Sequence, residues 1–212
     1  QRISISWFSP PLFRNFSEAL TGREKFADLR LIRLAGDTAY QSDVDLYKQH
    51  SPRHCLLVNA LSSSEAGFLS IYYVDHTIEI SGIEAPVGYS VEDKDILLLD
   101  EQGKEVGFNE VGEIVVKSRY LASGYWHRSD LTDAKFQPNP EDRDERLYFT
   151  GDLGLMRPDG CLIHKGRKDF RVKIRGYRIE IHEVELAILR HSTVDQVVVL
   201  CRENSRGDKY LV

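Results

Sequence analysis

Two short apolar runs on either side of one amphipathic segment constrain the fold more than any other feature of this sequence. Residues 29–35 and 55–61 have the length and apolar content of buried strands. Residues 42–50 between them predict a helix, because Ser42 can cap its start and acidic residues follow in the first turn. Two strands joined by one helix form a right-handed crossover, so the sequence predicts parallel strands in one sheet.

Further elements extend this layer along the chain. Pro10 and Pro11 can open a helix that runs to residue 20, because proline fits the first helical turn. Residues 68–74 predict another strand. We therefore expect residues 1–80 to form a parallel α/β layer.

The pattern changes near residue 80, where short strands alternate with turns. The predicted elements are strands at 95–99 and 112–117, a helix at 131–136 and a hairpin turn at 157–160. This pattern is typical of antiparallel or barrel-like structure. We expect a small antiparallel β-barrel-like subdomain over residues 81–168.

A third unit begins after Asp169. It is predicted to contain a strand at 171–175, a helix near 182–190 and a strand at 196–201. Residues 169–212 are therefore expected to be the start of a small α+β C-terminal subdomain. The fold class of the whole chain is α/β and α+β.

Composition excludes several functions. Lys and Arg total 28 and Asp and Glu total 33, so the net charge is −5, and a sequence-independent nucleic-acid binder would need a basic face. No apolar run reaches the ~20 residues that span a bilayer. The three cysteines are far apart and form no Cys-x-x-Cys pair, as is typical of thiols in a reducing cytosol. We expect a cytoplasmic protein without nucleic-acid or membrane partners.

The ends of the chain resemble interrupted strands. The sequence begins without Met in an alternating stretch, residues 3–7, and ends on the apolar run at 210–212. Unpaired strand edges need partners, so we expect this chain to be part of a longer protein.

Three polar stretches could carry chemistry. The loop at 62–67 follows a buried strand, where hydroxyls can contact phosphates and Glu65 can hold Mg²⁺, although a solvated turn has the same pattern. Asp152 follows Gly151 after a short strand and could accept ribose hydroxyls or simply close a turn. The basic run at 166–178 could meet phosphates or protect a solvated edge strand.

Taken in order, these stretches resemble motifs of the adenylate-forming (acyl-activating) enzyme superfamily. The resemblance is greatest to the adenylation domains of non-ribosomal peptide synthetases and covers nearly the whole chain. The stretches that carry it are Ser62-Ser63-Ser64-Glu65, Gly112-Glu113-Ile114 with Gly124-Tyr125-Trp126, Tyr148-Phe149-Thr150-Gly151-Asp152-Leu153, and the long hinge motif from Gly166 to Glu185.

The resemblance implies an ATP-dependent ligase. A carboxylic or amino acid would attack the α-phosphate of Mg²⁺-bound ATP, giving an acyl adenylate and pyrophosphate. The acyl group would then pass to a phosphopantetheine thiol. The implied partners are a carrier-protein domain and the rest of the same synthetase chain.

The resemblance also implies residue roles. Ser64 would contact phosphate, Glu65 would bind Mg²⁺ and take part in catalysis, and Asp152 would hold the ribose hydroxyls. Arg167 would act near the ribose and phosphate. The nucleotide site would further include Ala60 and Leu61, the hinge would be Asp169, and the pantetheine-facing loop would be Arg175, Gly176 and Tyr177.

Only part of the acyl pocket implied by the resemblance is formed by residues of this chain. Its walls would include Trp7 or Phe8, Arg33, Ala35, Ala60, Phe68 and Leu69. The two alanines leave depth, which favours a bulky apolar or aromatic acyl group. Arg33 could instead pair with a second carboxylate of the substrate, or point away into a surface ion pair.

The chain departs from the family pattern at a few positions. Leu61 stands where the family has an aromatic residue against adenine, Ser62-Ser63 replace Gly-Pro, and Arg171 replaces Gln. The family's Gly-rich phosphate loop and C-terminal catalytic Lys would lie outside these residues, so we expect the chain alone to be inactive. Two alternatives stay open: a stand-alone acyl-CoA or fatty-acyl-AMP ligase, and a non-catalytic nucleotide-binding remnant.

Overall fold

The first sheet has five strands and two helices on one face. In a computed structural model that describes residues 2–168, 171–191, 193–194, 197–204 and 207–212, its order is β1-β2-β3-β4-β5. These strands are β1 (Ile5–Phe8), β2 (Leu31–Leu34), β3 (Leu56–Ser63), β4 (Gly67–Val74) and β5 (Tyr89–Ser90), and the helices are α1 (Pro10–Glu18) and α2 (Gln41–His50). β1, β2 and β3 are parallel, as the crossover pattern predicts, and β4 and β5 run antiparallel.

Helices α1 and α2 bury the inner face of this sheet. Its core includes Phe13, Leu34, Tyr47 and Leu57, each at most 2% exposed. The predicted cap at Ser42 is wrong by two positions, because Tyr40 is the N-cap and α2 begins at Gln41.

The start of α2 is fixed by a buried carboxylate. The Asp43 carboxylate accepts the backbone N–H of Tyr40 at 2.8 Å and pairs with Arg14 of α1 at 2.7 Å. This long-range partner of Asp43 is not visible in the local sequence pattern.

The second sheet is antiparallel and open. Its order is β10-β9-β7-β6, with β8 paired to β9, and its edges are β10 and β6 among the described residues. Its elements are β6 (Asp95–Leu99), β7 (Val111–Ser118), α3 (Ser129–Lys135), β8 (Phe136–Pro138), β9 (Arg146–Met156) and β10 (Leu162–Arg167). The antiparallel prediction is confirmed, but the part of the chain that the structure describes forms no closed barrel.

The two sheets share a second core and the first extends beyond residue 80. Leu69 of β4 and Val87 pack with Ile114 and Leu162 of the second sheet. β5 continues the first sheet, because Tyr89 pairs with Ile71. The division at residues 80 and 168 stays a prediction.

The C-terminal unit is small and mixed. Its elements are β11 (Arg171–Ile174), β12 (Tyr177–Glu180), α4 (Ile181–Leu189), β13 (Cys201–Glu203) and β14 (Lys209–Leu211). The predicted strand at 196–201 is displaced, since residues 197–200 are not in a strand and β13 begins at Cys201. The extent of β13 follows its partner, because Cys201 pairs with Leu211 and β14 is equally short. Within the described residues, no helix has the length and apolar content to cross a membrane.

Candidate active site

A bulge in β9 directs the side chain of Asp152. Residues 150–152 all lie opposite Ile114 of β7, where the register of the two strands shifts. Gly151 has φ of 75°, which glycine adopts without strain. The buried Thr150 hydroxyl donates to the Ile114 carbonyl at 2.7 Å and accepts the Asp152 N–H at 2.9 Å. Asp152 therefore lies within a long strand, and the alternative that it closes a turn is wrong.

Asp152 forms an ion pair with Arg167. Arg167 Nη1 donates to Asp152 Oδ1 at 2.6 Å, and Nη2 donates to the Thr150 carbonyl at 3.1 Å. His164 Nε2 lies 3.4 Å from the same carboxylate oxygen. The three side chains of Asp152, Arg167 and His164 are only 14–16% exposed, so this charged group is largely shielded from water.

Glu113 ties the segment after β10 to the bulge. Its Oε1 accepts the Gly151 N–H at 3.0 Å, and its Oε2 lies 3.3 Å from Lys168 Nζ. The Lys168 N–H donates to the Gly151 carbonyl at 2.8 Å. Residue 169, the hinge expected from the sequence, lies outside the described residues, and these contacts hold its N-terminal neighbour.

A cavity of about 350 Å³ lies beside Asp152 and Arg167. That volume is within the usual range for small-molecule sites of roughly 300–1,000 Å³. Its walls come from all three predicted units: residues 36–39 and 60–62; Ala85, Val87, Asp152, His164, Gly166 and Arg167; and Val172, Ile181, Cys201 and Lys209. The structure thus brings Ala60, Leu61, Asp152 and Arg167 together at one cavity, although they are distant in sequence.

Glu65 and Ser64 lie apart from that cavity lining. Ser64 is exposed in the turn between β3 and β4, and Glu65 is 6% exposed. The Tyr125 hydroxyl donates to Glu65 Oε1 at 2.8 Å, and the Ala122 N–H donates to the Glu65 carbonyl at 2.8 Å. The predicted loop is therefore the turn of an antiparallel hairpin, and segment 122–125 holds its carboxylate.

The chemistry of Glu65 fits a Mg²⁺ ligand only together with substrate. Among the residues that the structure describes, no three His, Cys, Asp or Glu side chains form a group that could hold a metal. Mg²⁺ usually binds one or two carboxylates plus substrate phosphates, a role open to a single glutamate. The metal role of Glu65 stays a prediction.

The predicted acyl-pocket residues lie in three separate places. The Arg33 guanidinium lies over the rings of Trp7 and Phe68. Ala60 is buried in the cavity lining, and Ala35 is buried directly before Gly36 of that lining. Leu69 is fully buried in the second core, so the structure does not bring it to the Arg33 group.

The predicted pantetheine-facing residues form an exposed turn. Ile174 pairs with Tyr177, which leaves Arg175 and Gly176 as a two-residue hairpin loop. Both have positive φ, 51° and 83°, as a type I′ turn requires. Tyr177 is 75% exposed, so this tip is available for contact with another molecule.

His164 and Lys209 are among the cavity residues that the sequence did not reveal. His164 approaches Asp152, and Lys209 lies 2.7 Å from Asp37 across the cavity wall. The alternation of β10 puts His164 on the same face as Leu162, which by itself indicates only core packing. No local signal marks Lys209, because its partner is 172 residues away.

Comparison with known proteins supports the same class of fold. The model of the family "AMP-binding enzyme" matches residues 1–126. Gramicidin S synthase 2 of Brevibacillus brevis is 31% identical over 99% of this chain, which corresponds to 5% of that protein. Bacitracin synthase 3 of Bacillus licheniformis is 32% identical over 100% of this chain and 3% of its own length.

A solved structure supports the same class of fold. PA1221, a non-ribosomal peptide synthetase protein containing adenylation and PCP domains, superposes with a TM-score of 0.83 at 28% identity, over 99% of this chain and 42% of that protein. The fold and these similarities define the class of protein, that of the AMP-binding enzymes. This chain belongs to the AMP-binding enzyme family, and its relatives include the adenylation domains of non-ribosomal peptide synthetases.

Proposed function

We propose that this chain carries part of an ATP-dependent adenylation domain. The domain activates a carboxylic or amino acid as its adenylate and passes the acyl group to the phosphopantetheine thiol of a carrier protein. The observation that carries the proposal is the shielded Asp152–Arg167 pair beside a cavity of about 350 Å³. The similarity to synthetases along nearly the whole chain supports it.

Asp152 is proposed to accept the ribose hydroxyls of ATP. A carboxylate has about four acceptor positions, so it can bind hydroxyls while it keeps its bond to Arg167. The β9 bulge holds the carboxylate in place, which reduces the cost of ordering it when the nucleotide binds. Ala60 and Leu61 supply the apolar wall against the adenine.

Arg167 is proposed to stabilise charge near the α-phosphate. Its guanidinium is oriented by Asp152 and by the Thr150 carbonyl, so little reorganisation is needed when negative charge develops. Ser64 would contact phosphate. Glu65 would hold the Mg²⁺ that neutralises phosphate charge, with its carboxylate steadied by Tyr125.

The C-terminal unit is proposed to turn between the two half-reactions about Asp169. Its loop of Arg175, Gly176 and Tyr177 would then meet the pantetheine arm. Its other side contributes Val172, Ile181 and Lys209 to the cavity wall, so a rotation would open that wall.

The proposed location is the cytoplasm. Cys55, Cys161 and Cys201 are all unpaired thiols, as is usual in a reducing compartment. Burial raises the pKa of all three thiols, which keeps them protonated and unreactive at neutral pH.

Two assays on the intact protein that carries this chain test the function. Acid-dependent exchange of labelled pyrophosphate into ATP reports adenylate formation, and mass spectrometry of the carrier domain reports thioester loading. We expect pyrophosphate exchange, and we expect thioester loading of the carrier protein. We expect no transfer of the acyl group to coenzyme A. Loading of coenzyme A would favour a stand-alone ligase, and nucleotide binding without exchange would favour a non-catalytic remnant.

A proline substitution tests the hinge in the same protein. Asp169→Pro fixes φ near −65° and should restrict rotation of the C-terminal unit. If the restricted geometry is the adenylating one, exchange survives while thioester formation falls. Equal loss of both steps would indicate misfolding, and normal loading would exclude Asp169 as the pivot.

A further inference from the structure

The Arg33 guanidinium lies over two aromatic rings on the face of the first sheet opposite the helices. Its guanidinium carbon lies 4.4 Å from the centroid of the Trp7 ring and 4.0 Å from that of Phe68. Trp7 and Arg33 are register partners on β1 and β2, and Phe68 lies on β4. Three strands therefore contribute to one stacked group, which limits how the guanidinium can be oriented.

One residue of the cavity lining, Ala60, lies on the same sheet face as this stacked group. Arg33 pairs with Val58 of β3, and alternation along β3 puts Val58 and Ala60 on the same face. Ala60 lines the cavity beside Asp152, about 7 Å further along the strand at ~3.3 Å per residue. A small molecule whose reacting end is near the cavity can thus extend along the face toward Arg33.

Arg33 has no acidic partner among the described residues. Its Nε is buried and makes no hydrogen bond. Burial lowers the pKa of the guanidinium, and no carboxylate acts in the opposite direction. Arg14 and Arg167, by contrast, lie 2.7 and 2.6 Å from Asp43 and Asp152. A buried Nε donor without an acceptor is unfavourable, so this site favours an anion supplied from elsewhere.

The stacking determines which anion fits. The guanidinium carbon lies within 4.4 Å of the centroids of two aromatic rings, while its N–H groups point outward in the plane of the group. An acceptor must therefore approach the edge, where a planar carboxylate can take two parallel hydrogen bonds from Nε and one Nη. The two rings provide apolar contact for a methylene chain behind that carboxylate.

We propose that Arg33 binds a second carboxylate of the acyl substrate, so that the domain activates a dicarboxylic acid or an amino acid with an acidic side chain. This inference rests on the proposed adenylation function. It selects one of the two substrate types that the sequence leaves open, because the apolar pair Trp7 and Phe68 is occupied by the cation rather than by a bulky apolar group.

Matched acids test the substrate class in the intact protein. Pyrophosphate exchange is measured with glutamate against glutamine and with adipate against hexanoate, pairs that differ mainly in the second carboxylate. We expect kcat/KM to be on the order of 100-fold higher for the preferred diacid than for its neutral partner, because the neutral partner leaves Arg33 unpaired.

Three variants connect this preference to Arg33. Arg33→Gln should remove the advantage of the diacid, so that the ratio of its kcat/KM to that of its neutral partner falls toward one. Arg33→Lys keeps the charge but loses the planar fork, so its preference should be intermediate. Arg30→Gln is the matched control, because Arg30 is exposed just before β2 and lies outside the site. If Arg33→Gln does not fold, as judged by its thermal unfolding, Arg33→Lys carries the comparison.

Binding measurements separate this inference from the proposed function. Calorimetry of adipate and hexanoate with the wild-type protein and Arg33→Gln needs no turnover. Arginine-dependent binding of adipate supports the inference even if no acid supports exchange. A preference for neutral acids, or an equal loss for both acids in Arg33→Gln, overturns it while exchange itself still supports adenylation. If the protein shows neither pyrophosphate exchange nor adipate binding, the inference and the proposed function are both overturned.

Discussion

Lys209 Nζ lies 2.7 Å from Asp37 Oδ1, so an ion pair joins the C-terminal hairpin β13–β14 to the loop after β2. Asp37 is 7% exposed and Lys209 is 22% exposed in their side chains. Two weaker contacts support the same junction, Tyr40 Oη to Glu203 at 3.2 Å and Arg14 Nη1 to the Gly207 carbonyl at 3.4 Å. The cavity wall thus depends on contacts that any rotation of the C-terminal unit must break.

Removal of this ion pair should loosen the C-terminal hairpin. Lys209→Met leaves the Asp37 carboxylate without its cation, at a cost of about 1–3 kcal/mol. Hydrogen exchange of residues 200–212 should become faster, while the strands of the first sheet stay protected. Lys104→Met is the control, because Lys104 is exposed in the 101–104 turn. Unchanged exchange in Lys209→Met would show that the pair does not hold the hairpin.

Asp152→Asn should weaken ATP binding in the intact protein. A hydrogen bond to a charged group contributes about 1.5–3 kcal/mol, so the KM for ATP should rise by roughly ten- to a hundredfold. The ATP dependence of pyrophosphate exchange measures this. Asp142→Asn, in an exposed loop, should have no effect. An unchanged KM in Asp152→Asn would limit Asp152 to a structural role.

Thr150→Val should change the orientation of the Asp152 side chain while Asp152 itself stays unaltered. The substitution removes the hydroxyl that accepts the Asp152 N–H and donates to the Ile114 carbonyl, while the volume stays similar. We expect a loss of about 1–3 kcal/mol in the free energy of unfolding, and a higher KM for ATP. Thr150→Ser retains the hydroxyl and should recover most of both quantities. If Thr150→Val lowers stability but leaves the KM unchanged, the bulge does not position the carboxylate.

Glu65→Gln and Tyr125→Phe should separate metal binding from support of the carboxylate. Glu65→Gln removes the proposed Mg²⁺ ligand, so the Mg²⁺ concentration for half-maximal exchange should rise strongly. Tyr125→Phe removes only the hydroxyl that donates to Glu65 Oε1 at 2.8 Å, and its effect on that concentration should be small. Equal Mg²⁺ dependence in Glu65→Gln and wild type would contradict the metal role.

Stability should decrease in strong alkali because of Tyr47. Burial raises the pKa of Tyr47 to about 12, above the usual value of 10.0. A group whose pKa is raised by folding contributes stability below its unfolded pKa and loses it as the pH rises through the folded pKa. The free energy of unfolding should therefore fall between about pH 10 and 12.

Tyr47→Phe tests the source of that fall. It removes the ionisable hydroxyl, so the decrease between about pH 10 and 12 should be shallower than in wild type. The variant also loses the hydrogen bond to the Cys55 carbonyl and should be less stable at neutral pH. Tyr73→Phe, at an exposed tyrosine, is the control. Parallel pH profiles for Tyr47→Phe and wild type would assign the decrease to other groups.

The sequence by itself determined the parallel order of β1 to β3, the antiparallel character of the second sheet and membership of the AMP-binding enzyme family. These follow from properties of neighbouring residues, namely apolar periodicity, turn chemistry and the order of short motifs. Only the tertiary structure decided that Asp152 lies on a strand bulge, that Arg33 contacts the rings of Trp7 and Phe68, and that β13 begins at Cys201. The reason is that strand register, bulges and ion-pair partners depend on contacts between residues far apart in the chain, where local periodicity carries no information.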